Sequence, residues 1–283
     1  MIALGLIGGP VSHSLSPKLH NAALQANGIM GEYCLYPINP QEPEKLLNIL
    51  SKVRSGEITG LNVTIPLKQS VIPLMDELTD TSRSIGAVNT IYSKDGRLYG
   101  HNTDAPGFTA DLKENCVFQN YSGKKVIVLG AGGSARAVVW ALRQMSCLVT
   151  IAARDPAQGR SLIDEFRRQS NYMEINSISL DHESLKPYIE NTNIVINTTP
   201  VGMFPNINES PWPNGLPLPG GAFIYDLIYN PGKTNLVTTA HQMGLRAVNG
   251  LGMLVEQAAL AFEIWTGISA PRNVMVSAMK LNL

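Results

Sequence analysis

The sequence predicts an α/β protein with two domains. Short apolar runs alternate with segments of helical periodicity along most of the chain, which is typical of this class. The chain has 283 residues, and one domain usually holds roughly 100–200. A polar stretch at 115–125 precedes a very apolar strand and predicts the junction. We therefore expect a first α/β domain at 1–114 and a second domain at 115–249, with C-terminal helices at 250–283 completing the first.

The individual elements follow from the same patterns. Strands are predicted at the apolar runs Leu4–Ile7, Tyr33–Tyr36, Gly60–Thr64, Val126–Leu129, Leu148–Ala152, Ile194–Asn197 and Phe223–Asp226. Helices are predicted at Pro17–Asn27, Glu42–Ser51, Ala105–Glu114, Ala135–Met145, Pro156–Arg168, Lys233–Met243 and Leu251–Trp265. Two short runs within Val88–Gly100 flank Lys94-Asp95-Gly96 and predict a hairpin. The Pro-, Gly- and Asn-rich segment Pro205–Gly221 predicts a surface loop.

Composition excludes several classes of function. The 22 Lys and Arg residues balance 22 Asp and Glu residues, which argues against a basic nucleic-acid-binding face and against strong attraction to acidic membranes. The most apolar long window, Val126–Leu142, contains Arg136 and is shorter than the roughly 20 residues of a membrane span. No basic segment precedes the apolar start, so no signal peptide is predicted. We expect a cytoplasmic protein.

No metal site or disulfide framework is predicted. The cysteines at 34, 116 and 147 show no C-x-x-C spacing, so small buried side chains in a reducing compartment are the simplest interpretation. The histidines at 13, 20, 101, 182 and 241 also lack ligand-like spacing.

A glycine-rich turn follows the strand at Val126–Leu129. The segment Gly130-Ala131-Gly132-Gly133-Ser134-Ala135 matches G-x-G-x-x-G/A between a strand and a helix. In this motif Gly130 permits the tight turn, Gly132 lets the backbone approach a pyrophosphate, and Ala135 keeps the helix close to the strand. Free N–H groups at the helix start attract phosphates. The turn predicts a Rossmann-type, doubly wound dinucleotide-binding domain; a merely structural turn is the alternative.

The end of the next strand bears on the choice of cofactor. Ala153 stands where an acidic residue would bind the ribose hydroxyls of NAD, and Arg154 follows it. A guanidinium group there suits the 2′-phosphate of NADP, although a solvated surface arginine is the simpler alternative. Asp155 would repel a phosphate unless it points away. NADP is favoured, with NAD as a secondary cofactor.

The first domain has polar residues after its first strand. Pro17 suits the first helical position and Ser16 suits the N-cap. Ser14 and Ser16 are therefore either turn and cap residues or a pair that binds a substrate carboxylate at a helix N-terminus.

Two charged residues form a second group of candidates. Lys68 follows the strand at Gly60–Thr64 and is predicted in the first turn of a helix, where a positive charge is unfavourable. That placement suggests a function, although a solvated lysine remains the alternative. Asp104 closes the hairpin segment and, taken alone, is most simply a helix N-cap.

Together these motifs resemble the shikimate dehydrogenase family, in that family's order and essentially from end to end. The matching segments are SHSLSPKLHN, NVTIPLK, GAVNT, HNTD, GAGGSARA, INTTPVGM, YDLIYNPGKT and NGLGMLVEQAALAFEIWTG. The resemblance implies a two-domain enzyme of aromatic amino-acid biosynthesis that reduces 3-dehydroshikimate to shikimate with NADPH. It implies a substrate domain completed by the C-terminal helix, and a Rossmann domain between.

The resemblance also implies roles for individual residues. Lys68 and Asp104 match the catalytic pair, with Asp104 also a substrate contact. Substrate binding is implied for Ser14 and Ser16 at the carboxylate and for Thr64, Asn89, Tyr229 and Gln257 at the hydroxyls or carboxylate. Cofactor binding is implied for Gly130, Ala131, Gly132, Gly133, Ser134, Arg154, Leu227, Gly250, Met253 and Asp80. The family often has Asn-Arg-Thr where this chain has Ala153-Arg154-Asp155, so strict NADP preference stays open.

The expected chemistry assigns Lys68 as general acid in reduction and general base in oxidation. A neighbouring aspartate favours the protonated lysine, which is the correct state to donate to a developing alkoxide. Asp104 is either the partner of Lys68 in a coupled pair or the residue that orients the substrate hydroxyl.

Other functions are kept as alternatives. A relative that also oxidises quinate, with NAD, is suggested by Ala153 and Asp155, and a non-catalytic dinucleotide sensor would retain the fold without turnover. The expected partners are the small-molecule substrate and cofactor, without nucleic acid or membrane, in a monomer or a homodimer.

Overall fold

The computed structural model describes residues 1–169 and 175–280. The chain divides into two compact units, Met1–Gly107 with Val255–Leu283, and Phe108–Leu254. Both breaks fall within helices, and the assignment of substrate to one unit and cofactor to the other stays a prediction. No helix in the described part is long and apolar enough to cross a membrane.

The chain alternates between strands and helices through both units. The strands are β1 Ile2–Gly8, β2 Gly31–Pro37, β3 Gly60–Val63, β4 Glu77–Leu78, β5 Thr90–Lys94, β6 Arg97–His101, β7 Lys125–Leu129, β8 Leu148–Ala153, β9 Ile175–Ser179, β10 Ile194–Asn197, β11 Phe223–Asp226 and β12 Ala247–Val248. The helices are α1 Ser16–Ala26, α2 Pro43–Arg54, α3 Asp80–Ile85, α4 Asp104–Asn115, α5 Gly133–Gln144, α6 Pro156–Gln169, α7 His182–Leu185, α8 Asn235–Gln242, α9 Leu251–Thr266 and α10 Arg272–Lys280.

The first unit is built on a mixed sheet with the strand order β2-β1-β3-β5-β6-β4. β1 pairs in parallel with β2 and β3, whereas β5 pairs antiparallel with β3 and β6. The predicted hairpin is confirmed: β5 and β6 meet at Asp95 and Gly96, which both have positive φ angles (53° and 72°). Such angles are typical of the turns that match strand twist.

The second unit has a fully parallel sheet with the order β12-β11-β10-β7-β8-β9. This is the doubly wound arrangement of a Rossmann fold, with the reversal of strand order between β7 and β10. The predicted fold class is therefore confirmed. The central strands are apolar on both faces because helices cover a parallel sheet from both sides, and every residue of β10 and β11 is buried.

The sequence patterns do not predict several of the elements. β4 and β12 have only two residues each, and β9 (Ile-Asn-Ser-Ile-Ser) is largely polar. α3, α7 and α10 were also missed. The helix predicted from Lys233 begins at Asn235, because the Thr234 side chain caps it by accepting a hydrogen bond from Val237 N.

A buried aromatic cluster packs α1 against the sheet of the first unit. The His20 ring stacks on Tyr33 with a centroid distance of 4.3 Å, and the Trp265 ring centroid lies 5.4 Å from that of His20. Trp265 donates to Ile91 O and occupies the space above Gly60, where a Cβ atom would lie 2.1 Å from the indole nitrogen. Burial lowers the pKa of His20 to about 3. His20 is therefore neutral in the folded protein at pH 7.

This burial makes the unfolding free energy depend on pH. The unfolded chain binds a proton at His20 near pH 6.5 and the folded chain only near pH 3, so stability is lost as pH falls through this window. We expect His20 to account for a loss of about 1.5–2 kcal/mol between pH 6.5 and pH 5. Denaturant unfolding of the wild type and of His20→Phe, which keeps a stacked ring but does not titrate, measures this contribution. Equal pH dependence of the two proteins would contradict it.

Candidate active site

A buried ion pair stands in the first unit between two of the predicted residues. Lys68 Nζ lies 2.6 Å from Asp104 Oδ2, and the two side chains are only 13% and 7% exposed. The backbone also fixes the lysine, because Val88 N donates to Lys68 O over 2.8 Å. The sequence-predicted pair is thus brought together in a site of low solvent exposure, where charges interact more strongly than at a surface.

The local structure around Lys68 differs from the prediction. Residues 65–70 form consecutive turns, and only a short 3₁₀ helix, Ile72–Leu74, follows. Pro73 explains the difference, because it lacks an N–H group and its ring would clash with the carbonyl of Gln69 in an α-helix. The prediction that Lys68 occupies a first helical turn is wrong, and the argument from the helix dipole does not apply.

Asp104 is held through both carboxylate oxygens. It is the first residue of α4, so the alternative that it is only the preceding N-cap is wrong. Oδ2 faces Lys68, and Oδ1 accepts a 2.9 Å hydrogen bond from Asn89 Nδ2. Asn102 Oδ1 accepts from Ala105 N and so serves the start of the helix instead. The Asp104 carboxylate is therefore available to the ion pair.

Asn89 connects the carboxylate to a buried polar network. Its side-chain oxygen accepts from Thr103 N at 2.7 Å, and its Nδ2 also donates to Thr103 Oγ1 at 2.9 Å. Thr90 Oγ1 donates to Asn89 Oδ1 and accepts from Asn62 Nδ2. The sequence patterns do not predict Asn62 and Thr103 as supports of the site; their polar side chains beside apolar strand residues are the available signal.

Other predicted substrate residues lie in the same unit. Gln257, on α9, is 9% exposed and its Oε1 lies 3.4 Å from Asn89 Nδ2. α4 approaches it closely, because a Cβ atom on Gly107 would lie 2.8 Å from Gln257 N. Thr64 follows β3 and is half-buried. Asn89 and Gln257 are thus gathered around Asp104.

The serine pair stands at the start of α1. The helix begins at Ser16 with Leu15 in the N-cap position and no side-chain cap, so the prediction that Ser16 is the N-cap is wrong. Ser14 Oγ instead accepts a 3.2 Å hydrogen bond from Ser16 N. Two hydroxyl groups therefore lie next to a helix N-terminus, an arrangement that favours a carboxylate ligand.

The glycine turn of the second unit has room for a phosphate. Gly130 has a φ angle of 101°, and a Cβ atom there would lie 2.9 Å from Thr198 Oγ1 and Thr199 Cγ2, so the fold itself requires this glycine. Gly132 has an ordinary φ angle of −82°, and a Cβ atom at this position would have nothing within 4 Å. The fold does not need a glycine at Gly132, but close approach of a pyrophosphate would. The residues present fit a dinucleotide.

At the end of β8, Asp155 has a hydrogen-bond partner of its own. Its Oδ1 accepts a 2.9 Å hydrogen bond from Ala157 N, so the carboxylate caps the start of α6. Arg154 is exposed at the end of the strand, and Ala153 is buried. Asp155 therefore has a structural role as the cap of α6. One of its two carboxylate oxygens faces an N–H group at the start of the helix.

The remaining predicted residues divide between the units. Leu227 and Tyr229 follow β11, and Gly250 lies so close to this segment that a Cβ atom would be 2.0 Å from Leu227 O. Met253, on α9, is buried in the same second unit. Asp80 is an exposed residue in the first turn of α3, where a negative charge suits the helix N-terminus.

Within the described residues, no three His, Cys, Asp or Glu side chains form a group that could hold a metal ion. The polar groups around Asp104 are hydroxyl groups, amide groups and its ion pair with Lys68.

Comparison with known proteins agrees with this arrangement of fold and site. Residues 6–91 match the family model of the shikimate dehydrogenase substrate-binding domain, residues 113–203 match shikimate/quinate 5-dehydrogenase, and residues 250–280 match the shikimate 5′-dehydrogenase C-terminal domain. The shikimate dehydrogenase (NADP⁺) of Carboxydothermus hydrogenoformans is 41% identical over 98% of this chain and 96% of its own length. The chain belongs to the shikimate dehydrogenase family.

The fold of this chain is also similar to solved structures of known proteins. The shikimate 5-dehydrogenase of Thermus thermophilus, solved with NADP(H) and shikimate, is 35% identical with a TM-score of 0.86, and the match covers all of both chains. A quinate dehydrogenase from Corynebacterium glutamicum, solved with NAD, is 29% identical with a TM-score of 0.88, over 100% of this chain and 99% of that one. The family therefore includes both kinds of relative, and its members are oxidoreductases.

Proposed function

We propose that this chain catalyses the reversible, NADP-dependent reduction of 3-dehydroshikimate to shikimate. The buried Lys68–Asp104 ion pair carries the proposal, because it supplies a positioned proton donor in a chain whose relative from Carboxydothermus hydrogenoformans is a shikimate dehydrogenase (NADP⁺). Consumption of NADPH when 3-dehydroshikimate is added to the purified chain tests the reaction. No consumption above a protein-free control would contradict it.

Lys68 performs the proton transfer in this scheme. NADPH supplies the hydride that reduces the ketone carbon of the substrate. As charge develops on the ketone oxygen, the Lys68 ammonium group donates a proton to it, and the product is a secondary alcohol. Lys68 then regains a proton from water. In oxidation Lys68 takes the hydroxyl proton, and because that direction releases a proton to the solvent, alkaline pH favours it.

Asp104 and its neighbours hold the proton donor in place. The 2.6 Å contact keeps the Lys68 ammonium group directed at one point, and Asn89 fixes the other carboxylate oxygen. Asp104 also accepts a hydrogen bond from a substrate hydroxyl in this proposal. Because the hydrogen-bonded network is buried, little reorganisation is required at the moment of reaction.

Substrate recognition is assigned to the polar residues around this pair. Ser14 and Ser16 bind the carboxylate at the start of α1, where the helix N-terminus favours negative charge. Thr64, Asn89 and Gln257 contact the ring hydroxyls, and the family resemblance also assigns Tyr229 to substrate binding.

The cofactor is assigned to the carboxyl end of the parallel sheet. The backbone of residues 130–134 receives the pyrophosphate, and Arg154 receives the 2′-phosphate. Leu227, Gly250 and Met253 belong to the nicotinamide side. Asp80 belongs to this set by the family resemblance alone, and its placement at a helix start also accounts for its charge.

Arg154→Ala is expected to weaken NADPH binding about tenfold while NADH binding changes little, because only NADPH has the 2′-phosphate. Asp155→Asn is the matched variant. It keeps an acceptor for Ala157 N but removes the negative charge, so NADPH affinity should rise about three- to fivefold. Fluorescence titration with both cofactors measures these changes. Equal effects on NADPH and NADH would rule out the 2′-phosphate contact.

A second candidate is a quinate dehydrogenase that uses NAD, as the Corynebacterium glutamicum relative is named. Asp155 beside Arg154 is the observation that favours it, because a carboxylate near a 2′-phosphate disfavours NADP. Its capping hydrogen bond to Ala157 N weakens this argument. NADP and shikimate are therefore preferred.

A further inference from the structure

A buried carboxylate stands at the carboxyl end of β11, outside the residues assigned so far. Asp226 is 0% exposed, and burial raises the pKa of its carboxyl group. Three donors surround it: Asn197 Nδ2 at 2.9 Å, Ile228 N at 3.1 Å and Thr234 Oγ1 at 2.6 Å. No salt bridge in the described part of the chain includes it. Burial of a carboxylate is costly, so these three hydrogen bonds are what make it tolerable.

One side of this network fixes the segment after β10. Asn197 is the last residue of that strand, and its Oδ1 accepts hydrogen bonds from Thr199 N at 2.9 Å and Thr199 Oγ1 at 2.7 Å. Thr199 Oγ1 in turn accepts from Val201 N. The Asn197 side chain donates from Nδ2 to Asp226 and accepts at Oδ1 from Thr199. Asp226 therefore determines the orientation of the amide group that holds residues 198–201.

The other side fixes the segment after β11. Ile228 N and Thr234 Oγ1 both donate to Asp226, which ties together the two ends of residues 227–234. Phe204 N also donates to Asn230 O, so the segments after β10 and β11 are bonded to each other. One carboxylate therefore holds two adjacent loops.

These loops border the glycines assigned to the cofactor. Thr198 and Thr199 lie so close to Gly130 that a Cβ atom there would be 2.9 Å from both side chains, and Thr198 Oγ1 donates to Leu129 O. Gly250 packs on Leu227 O, and its N–H donates to Ile228 O at 3.0 Å. A shift of either loop would change the space between the Gly130 turn and Gly250.

The position of the network within the sheet indicates which half of a dinucleotide it affects. A Rossmann sheet consists of two mononucleotide-binding halves that meet where the strand order reverses. Here the reversal lies between β7 and β10, and Asp226, Asn197 and Thr234 all belong to the half formed by β10–β12. Arg154 follows β8 in the other half.

We propose that Asp226 is a positioning residue for the nicotinamide half of the cofactor site. It acts by fixing the loops after β10 and β11, and so the placement of Leu227 and Gly250 relative to the Gly130 turn. This inference rests on the proposed function, because it requires NADP to bind at the carboxyl end of the sheet.

Separate titrations of the whole cofactor and of its adenine half test the inference. Asp226→Asn keeps the size of the side chain but replaces an acceptor with a donor toward Thr234. Calorimetric titration should show NADP binding weakened about tenfold, and binding of adenosine 2′,5′-bisphosphate unchanged within about twofold. In shikimate oxidation, kcat should fall by about tenfold or more with KM for shikimate little changed.

Asp111→Asn is the matched control. Asp111 is a buried carboxylate of the same unit that accepts hydrogen bonds from Tyr225 Oη and from Asn115 Nδ2. These hydrogen bonds do not connect Asp111 to the loop after β10 or to the loop after β11. Its variant is expected to lose stability but to bind both ligands like the wild type.

The outcomes separate the hypotheses. Unchanged NADP affinity in Asp226→Asn would overturn the positioning role, as would equal weakening of NADP and adenosine 2′,5′-bisphosphate. If the wild type neither binds NADP nor oxidises shikimate, the proposed function itself fails and this inference fails with it.

If Asp226→Asn does not fold, a second pair of variants tests the same inference. Thr234→Ser keeps the hydroxyl that donates to Asp226 and should behave like the wild type. Thr234→Val lacks it and should selectively weaken NADP over adenosine 2′,5′-bisphosphate. Identical ligand affinities for the two Thr234 variants would overturn the role of the network.

Discussion

Replacing Lys68 by alanine is expected to lower kcat by a factor on the order of 10²–10⁴, the usual effect of losing an acid–base group. KM for shikimate should change little, because the serine pair and the neighbouring amides assigned to substrate binding are retained. Steady-state kinetics in the direction of shikimate oxidation measures both parameters. A Lys68→Ala enzyme with nearly wild-type kcat would remove Lys68 from the mechanism.

The loss of the ion pair also has a structural effect that must be separated from catalysis. Without the Lys68 ammonium group, Asp104 is a buried carboxylate without its cation, which destabilises a folded protein. Lys68→Met lacks the ammonium group as well but keeps the apolar part of the side chain, so it separates lost packing from lost charge. A thermal unfolding curve for each variant shows whether the unpaired Asp104 carboxylate has destabilised the fold. Lys45→Ala is the surface control, because Lys45 pairs with Glu42 in an exposed ion pair and should leave kcat unchanged.

Replacing Gly132 by valine is the second change with a large expected effect. Its φ angle of −82° and ψ angle of −169° suit a β-branched residue, and a Cβ atom would meet nothing within 4 Å. The fold should therefore tolerate the substitution, whereas the side chain would occupy the space needed by the pyrophosphate. We expect NADP affinity to fall by a factor on the order of 10² or more, since charge-assisted hydrogen bonds to phosphate are lost. Calorimetric titration with NADP measures it.

Gly130→Ala is the matched comparison in the same turn. Its φ angle of 101° is unfavourable for alanine, and the new methyl group would press on Thr198 and Thr199. Its unfolding free energy should fall by at least about 1 kcal/mol. Equal stability of the two variants, or unchanged NADP affinity in Gly132→Val, would contradict the distinct roles assigned to these glycines.

Sequence patterns predict the fold where burial dictates residue type. β7 and β10 are continuous apolar runs because helices cover both faces of a parallel sheet, so they stand out in the sequence. β9 lies at one edge of the same sheet and three of its five residues are polar, and β12 has only two residues. Edge strands experience less burial, so their sequences contain less of the signal.

The candidate site also has features that residue type predicts and features that depend on the three-dimensional structure. Residue type and motif order predict Lys68 and Asp104 as the catalytic candidates, because few other residues suit proton transfer. Pairing depends on tertiary structure: Asn89 reaches Asp104 from a neighbouring segment, and Pro73 replaces the expected helix after β3 by turns and a 3₁₀ helix. Likewise, the cap assigned to Ser16 is absent because the helix starts one residue earlier than the pattern implies. Local sequence preferences do not contain these long-range constraints.

The most direct test of the proposed function is a comparison of four reactions of the purified chain. Shikimate and quinate are each incubated with NADP or NAD, and the absorbance of the reduced nicotinamide is followed. Strong turnover with shikimate and NADP, far above the other three pairs, is the predicted result. Equal or greater turnover with quinate and NAD would transfer the protein to the second candidate function, and no turnover in any pair would contradict an enzymatic role.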